Sequence, residues 1–152
     1  GLMEYKEAAE VKELREYDED EAGGLMTTEY IALQQFLTVD ETINKIRELA
    51  PEAETIYYIY VIDQAGRLTG VMSLRELIIA KPETKLSAIM HTKIMSVGDE
   101  APVEDVINMI RKYDLLAVPV VDEEKKLVGI ITVDDVIDAV IPSRRRRLLK
   151  FN

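Results

Sequence analysis

The feature that most restricts the fold of this chain is an internal repeat. Residues 61–80 align with 120–139 at a constant offset of 59, with identities at Val61/Val120, Asp63/Asp122, Leu68/Leu127, Gly70/Gly129, Ile78/Ile137 and Ala80/Ala139. Ser73/Thr132 and Glu76/Asp135 are conservative pairs in the same register. Upstream, an offset of 60 matches Ile43, Ile46 and Leu49 with Val103, Val106 and Met109. A unit of about 60 residues hides only about 60% of the surface its unfolded chain exposes, so one copy is marginal. Two copies packed sheet to sheet are the expected stable unit.

Within each copy the pattern changes period. Ile43, Ile46 and Leu49, and then Val103, Val106, Ile107 and Ile110, fall at helical spacing. Ile59 to Ile62 and Val118 to Val121 are short β-rich runs that end at Asp63 and Asp122. Turns come next, one holding Gly66 and the other made by Glu123 to Lys126, and then strands over Leu68 to Met72 and Leu127 to Ile131, each interrupted by a glycine. Helices over Leu74 to Ala80 and Val133 to Val140 are stopped by Pro82 and Pro142. The expected class is α/β, with two β-α-β-β-α repeats packed as a pseudo-two-fold pair. Residues 1–21 are expected to form a linker helix and acidic loop, because Glu4, Glu7, Glu10, Glu13 and Glu16 recur every third position among helix formers. The first module is placed at 22–85, the second at 86–141 and a basic tail at 142–152.

Composition excludes several functions. The formal charge is −10, from 19 Lys plus Arg against 29 Asp plus Glu, so phosphate backbones would be repelled and no nucleic-acid partner is expected. The absence of cysteine removes disulfides and thiolate metal sites and suits a reducing cytoplasmic compartment. The longest apolar run, Ile56 to Ile62, falls well short of the roughly 20 residues that cross a bilayer, so no membrane insertion is expected. The opening Gly1-Leu2-Met3-Glu4 lacks the basic and apolar regions of a signal peptide.

The strand-turn-strand from Val118-Pro119-Val120-Val121-Asp122 to Leu127-Val128-Gly129-Ile130-Ile131, with the helix start Thr132-Val133-Asp134-Asp135, resembles a CBS domain. Gly70-Val71-Met72-Ser73-Leu74-Arg75-Glu76 looks like its partner, and Ala22-Gly23-Gly24-Leu25-Met26-Thr27-Thr28-Glu29 is similar to the segment that introduces the CBS pair of MgtE-type magnesium transporters. That resemblance implies a non-catalytic cytosolic regulatory module, a homodimer, with an upstream domain and a membrane channel domain outside this chain. Two alternatives stand beside it: a nucleotide-sensing module of a soluble protein, and a purely structural dimerisation module. Ile141-Pro142-Ser143 followed by Arg144 to Arg147 departs from the acidic helix expected in those transporters at this point.

The resemblance also implies sites. In nucleotide-binding CBS proteins a Ser or Thr at the strand-to-helix junction contacts phosphate, and an acid three residues later holds ribose hydroxyls. Here those roles fall first on Thr132 and Asp135, and in the other copy on Ser73 and Glu76, with Arg75 as a phosphate partner and Tyr58 as a stacking surface for ATP, ADP or AMP. Thr132 and Asp135 also read as an ordinary helix cap, and Tyr58 as plain sheet packing. Asp114, Asp135 and Asp138 match positions that hold regulatory Mg²⁺ in the transporter family, and on a −10 chain they also read as a solvated acidic face. Asp18 to Glu29 mimics a calcium loop but puts Ala22 where an oxygen ligand is required. His91, the only histidine, is expected to be a surface residue, and the Arg144 to Arg147 run a solvated tail.

Overall fold

The computed structural model describes residues 16–49 and 56–140. The expected linker helix over Tyr5 to Tyr17 falls almost wholly outside them, and the basic tail entirely so. The first module runs β1 (Ala32–Gln34), α2 (Val39–Leu49), β2 (Ile59–Ile62), β3 (Leu68–Met72) and α3 (Leu74–Ile79), after a short α1 (Ala22–Leu25). The second runs β4 (Val97–Gly98), α5 (Val103–Tyr113), β5 (Ala117–Val121), β6 (Leu127–Thr132) and α6 (Val133–Val140), after a short α4 (Leu86–Ile89). Each module is β-α-β-β-α, and its sheet has the third element's strand in the middle: β1-β2-β3 and β4-β5-β6.

The hairpins repeat atom for atom. Asp63 Oδ1 accepts from the amides of Ala65 and Arg67 at 2.9 and 3.0 Å, and Asp122 Oδ1 accepts from those of Glu124 and Lys126 at 2.9 Å each. Both turns need one left-handed residue. Gly66 fills that place in the first (φ 86°) at no steric cost, and Lys125 fills it in the second (φ 68°). The two hairpins also bond to each other, Leu68 N to Lys125 O at 3.0 Å and Leu127 N to Gly66 O at 3.1 Å, so the modules meet turn against turn across the pseudo-two-fold.

The helices before the central strands correct one sequence reading. Val39 opens α2 and Val103 opens α5, an offset of 64 rather than 60. The buried side chains agree, since Thr42 and Ile46 correspond to Val106 and Ile110. Four residues are close to one helical turn of 3.6, so a misalignment by that amount leaves the apolar stripe in phase. The true difference lies in a longer helix-to-strand connection in the first copy.

The segment that precedes each module packs into the core of the other module. Ala22, Leu25 and Met26 pack with Val97, Val106, Val118 and Ile131 of the second module, and Thr27 pairs with Ile130 of β6. Leu86, Ile89 and Met90 pack with Leu33, Val61 and Leu77 of the first, and His91 pairs with Val71 of β3. Glycine makes both approaches possible. A Cβ at Gly70 would lie 2.8 Å from the Cβ of Met90, and one at Gly129 would lie 3.0 Å from that of Met26. We expect Gly70→Ala to lower stability by about 1–3 kcal/mol, the usual penalty for overpacking, as read by urea unfolding. An unchanged midpoint would mean that residues 86–91 are not seated on β3.

Candidate functional site

A cleft of about 610 Å³ opens between the modules, within the range of small-molecule sites. Tyr58, just before β2, and Tyr60 on β2 form one wall, with rings 6.4 Å apart and 72° between planes. Ser73 and Glu76 at the start of α3 form a second, residues 90–95 a third, and Leu115, Ala117 and Pro119 of the second module the last. β4 is only two residues long and pairs with Val120 and Val121, so Pro119 has no partner on that side and its missing N–H costs no ladder bond. The short edge strand thus leaves room beside β5.

Each wall is fixed by local bonding. The Tyr58 hydroxyl accepts from the amide of Leu116 at 3.3 Å, which ties the two modules together at the cleft. Tyr60 is fully buried, burial pushes its phenol well above the usual range, and its hydroxyl finds no hydrogen-bond partner among the described residues. It is therefore held as a neutral donor in need of an acceptor. Ser73 and Glu76 form a reciprocal cap: Glu76 N donates to Ser73 Oγ at 3.1 Å and Ser73 N to Glu76 Oε1 at 3.0 Å. The second carboxylate oxygen, Oε2, pairs with His91 Nε2. The amide bond from Ser73 chiefly, opposed by burial and helped by His91, holds the Glu76 carboxyl below the usual range.

The sequence reading ranked the junction of the second copy first; the cleft described above lies at the junction of the first. Tyr58, Ser73 and Glu76 line it; Arg75 is exposed on α3 beside it and does not; Thr132 and Asp135 do not. Thr132 and Asp135 make the matching cap, with Thr132 Oγ1 to Asp135 Oδ2 at 2.9 Å and Asp135 N to Thr132 Oγ1 at 3.2 Å. The two copies diverge just beyond the paired linker residue. After Thr27 the chain turns Tyr30 into the core between the sheets, against Tyr60, Leu127 and Ile130. After His91, Thr92 and Lys93 stay exposed and edge the cleft instead. His91 is a surface residue as expected, 61% exposed, but it is also a lining residue. Its role was not foreseen, nor were those of Tyr60, Lys93 and Pro119. One signal was available: with Met26 matched to Met90, the counterpart of His91 is Thr27.

The three expected metal ligands are not gathered in one chain. Asp114 is exposed and left-handed (φ 53°) at the end of α5, while Asp135 and Asp138 lie on α6. Among the described residues no three His, Cys, Asp or Glu side chains are grouped to hold a metal ion. Asp134 is instead bonded to the first module, accepting from the Tyr57 hydroxyl at 3.0 Å.

The family model for the CBS domain matches residues 22–83 and 86–142. The chain belongs to the CBS domain family. As a CBS pair it is 51% identical over 91% of its length to the magnesium transporter MgtE of Thermus thermophilus, covering 31% of that protein. It is similar to the crystal structure of the cytosolic domain of the Mg²⁺ channel MgtE in complex with ATP, at 53% identity and a TM-score of 0.81, covering 87% of this chain and 53% of that one. It is likewise similar to the soluble part of a magnesium transporter, at 44% identity and a TM-score of 0.81, covering 89% and 53%. The CBS pair spans about a third of the length of the curated transporters it matches. Among the described residues no helix is long and apolar enough to cross a membrane.

Glu76 carries a pH signature. Its carboxyl is depressed in the folded chain, so its contribution is present above the unfolded carboxylate range and is lost as pH falls through the folded value. Glu76→Gln is expected to be less stable than the parent at pH 7, with the gap closing in urea unfolding as pH falls below the usual carboxylate range. A gap that stays the same however far the pH is lowered would contradict the cap geometry.

Proposed function

We propose that this CBS pair is part of the cytosolic regulatory region of an MgtE-type magnesium transporter, that it binds an adenine nucleotide in the Tyr58–Glu76 cleft, and that it has no catalytic role. The carrying observation is the cleft itself: a volume suited to a small molecule, two tyrosines on one wall, a buried Tyr60 hydroxyl without an acceptor, and a carboxylate fixed at a helix start. The similarity to an ATP-bound MgtE cytosolic domain favours ATP among the adenine nucleotides. Tyr58 would present a flat face to the base and Glu76 would accept from ribose hydroxyls, with Arg75 beside the mouth as a phosphate partner.

The same reading assigns Mg²⁺ to Asp114, Asp135 and Asp138. Mg²⁺ takes one or a few carboxylate oxygens and keeps much of its water, so the exposed Asp114 and Asp138 with the half-buried Asp135 fit it as a seam site rather than a cage. Because one chain does not gather the three, the seam lies between copies. A homodimer supplies it: Ile78 and Ile79 on α3 are 64% and 71% exposed and Ile137 on α6 is 39% exposed, while Ile46 and Ile110 are consumed in the cores. Bare acidic faces repel. At about 4 Å, two unit charges near a surface interact by about 4 kcal/mol at an effective dielectric of 20, and a shared divalent ion reverses that sign. Bound Mg²⁺ then selects the compact dimer, on the cytosolic side of the membrane.

Two measurements test these assignments. Calorimetry with ATP is expected to show binding that Tyr58→Ala weakens by about 1 kcal/mol, roughly fivefold, from the lost aromatic contact; no heat from any adenine nucleotide at millimolar concentration would remove the nucleotide reading. Small-angle scattering is expected to show compaction as Mg²⁺ is added, beyond that given by NaCl of equal ionic strength. Compaction that survives Asp114→Ala combined with Asp138→Ala would leave these carboxylates as a solvated face.

A further inference from the structure

The cleft proposed for a polyanionic ligand contains a fixed carboxylate, and that is an electrostatic liability. Both Glu76 oxygens are engaged, Oε1 by the Ser73 amide at 3.0 Å and Oε2 by His91 Nε2. The backbone holds His91 in place to do this, since its amide donates to Val71 O at 2.9 Å and its carbonyl accepts from Val71 N at 3.0 Å. Around the cleft, the other charged or titratable groups are Lys93 on the same segment, the phenols of Tyr58 and Tyr60 on the sheet, and Arg75 next to Glu76 on α3. β3 contributes Val71 and Met72, and β5 contributes Ala117 and Pro119, none of which titrates.

From this placement we infer that His91 sets the charge preference of the cleft: protonated, it neutralises Glu76 and favours phosphate-bearing ligands; neutral, it leaves the carboxylate facing them. With His91 neutral, Glu76 and Lys93 cancel on the lining; with His91 protonated, the lining carries one net positive charge. The inference rests on the nucleotide reading of the cleft and adds its regulation by proton concentration. It concerns a lining residue whose repeat counterpart is Thr27, so it applies to the first module and has no equivalent at Thr132 and Asp135.

Because His91 is the only histidine, its imidazole resonances titrate alone in the untagged chain, and no variant is needed to read them. ATP is expected to raise the His91 midpoint by about half a unit to one unit, and adenosine, which carries no phosphate, to leave it in place. Reciprocity then fixes a second readout: ATP affinity of the parent, divided by that of His91→Gln, should rise from pH 8 to pH 6 in calorimetry, by up to the roughly three- to tenfold that such a midpoint shift allows. The same ratio for adenosine should stay flat. Titration of the ATP phosphates themselves is common to both proteins and cancels in the ratio. If ATP binds but leaves the His91 midpoint unmoved, or if His91→Gln follows the parent at every pH, the role of His91 is overturned while the nucleotide reading survives. If neither ATP nor adenosine binds either protein at any pH, the nucleotide reading falls and takes this inference with it.

Discussion

A three-stranded sheet of short strands has an outer edge with unpaired backbone groups, and the structure depends on how those edges are covered. β3 and β6 each gain a short partner from a linker: His91 exchanges both backbone bonds with Val71, and Thr27 does the same with Ile130. The second of these is the constraint on the whole chain. Residues 22–27 open the first module in sequence but complete the core of the second, beside Val97, Val106 and Ile131. Neither module can be finished from its own residues in sequence order, which turns two marginal units into one cooperative domain. Glycine at positions 70 and 129 is what admits Met90 and Met26 to those edges.

The same edge arrangement creates the asymmetry that leaves the cleft. At the second module the linker leads directly into β1, and Tyr30 fills the space between the sheets. At the first, residues 92–95 run past the sheet before β4, and β4 is too short to close the gap beside Pro119. A pseudo-symmetric scaffold thus carries an open cleft with Tyr58, Ser73, Glu76 and His91 around it. The cap formed by Thr132 and Asp135 has the same bonds as that of Ser73 and Glu76.

Much of the fold was legible from the repeat. The β2–β3 and β5–β6 hairpins, their aspartate-anchored turns and the helices after them are written in short-range signals: β-branched runs, Asp63 and Asp122, Gly66, and the Ser73 and Thr132 caps. The register of α2 against α5 was not, because helical periodicity repeats every turn and cannot distinguish an offset of 60 from 64. The cleft at the Ser73 junction was hidden for a different reason. Its walls depend on Tyr58 and on Thr92 to Met95, residues remote in sequence from the cap and without a motif of their own. Histidine at position 91 was read singly, and only its pairing with Glu76 gives it chemistry.

The central claim is that one cleft, at the first module and completed by the second, receives an adenine nucleotide. Backbone amide shift mapping by NMR during an ATP titration tests it most directly. The account predicts perturbations at Tyr58, at Ser73 to Glu76, at His91 to Met95 and at Leu115 to Leu116, with Thr132 and Asp135 little changed. Perturbations concentrated at Thr132 to Asp135, or none above those caused by an equal concentration of inorganic phosphate, would contradict it.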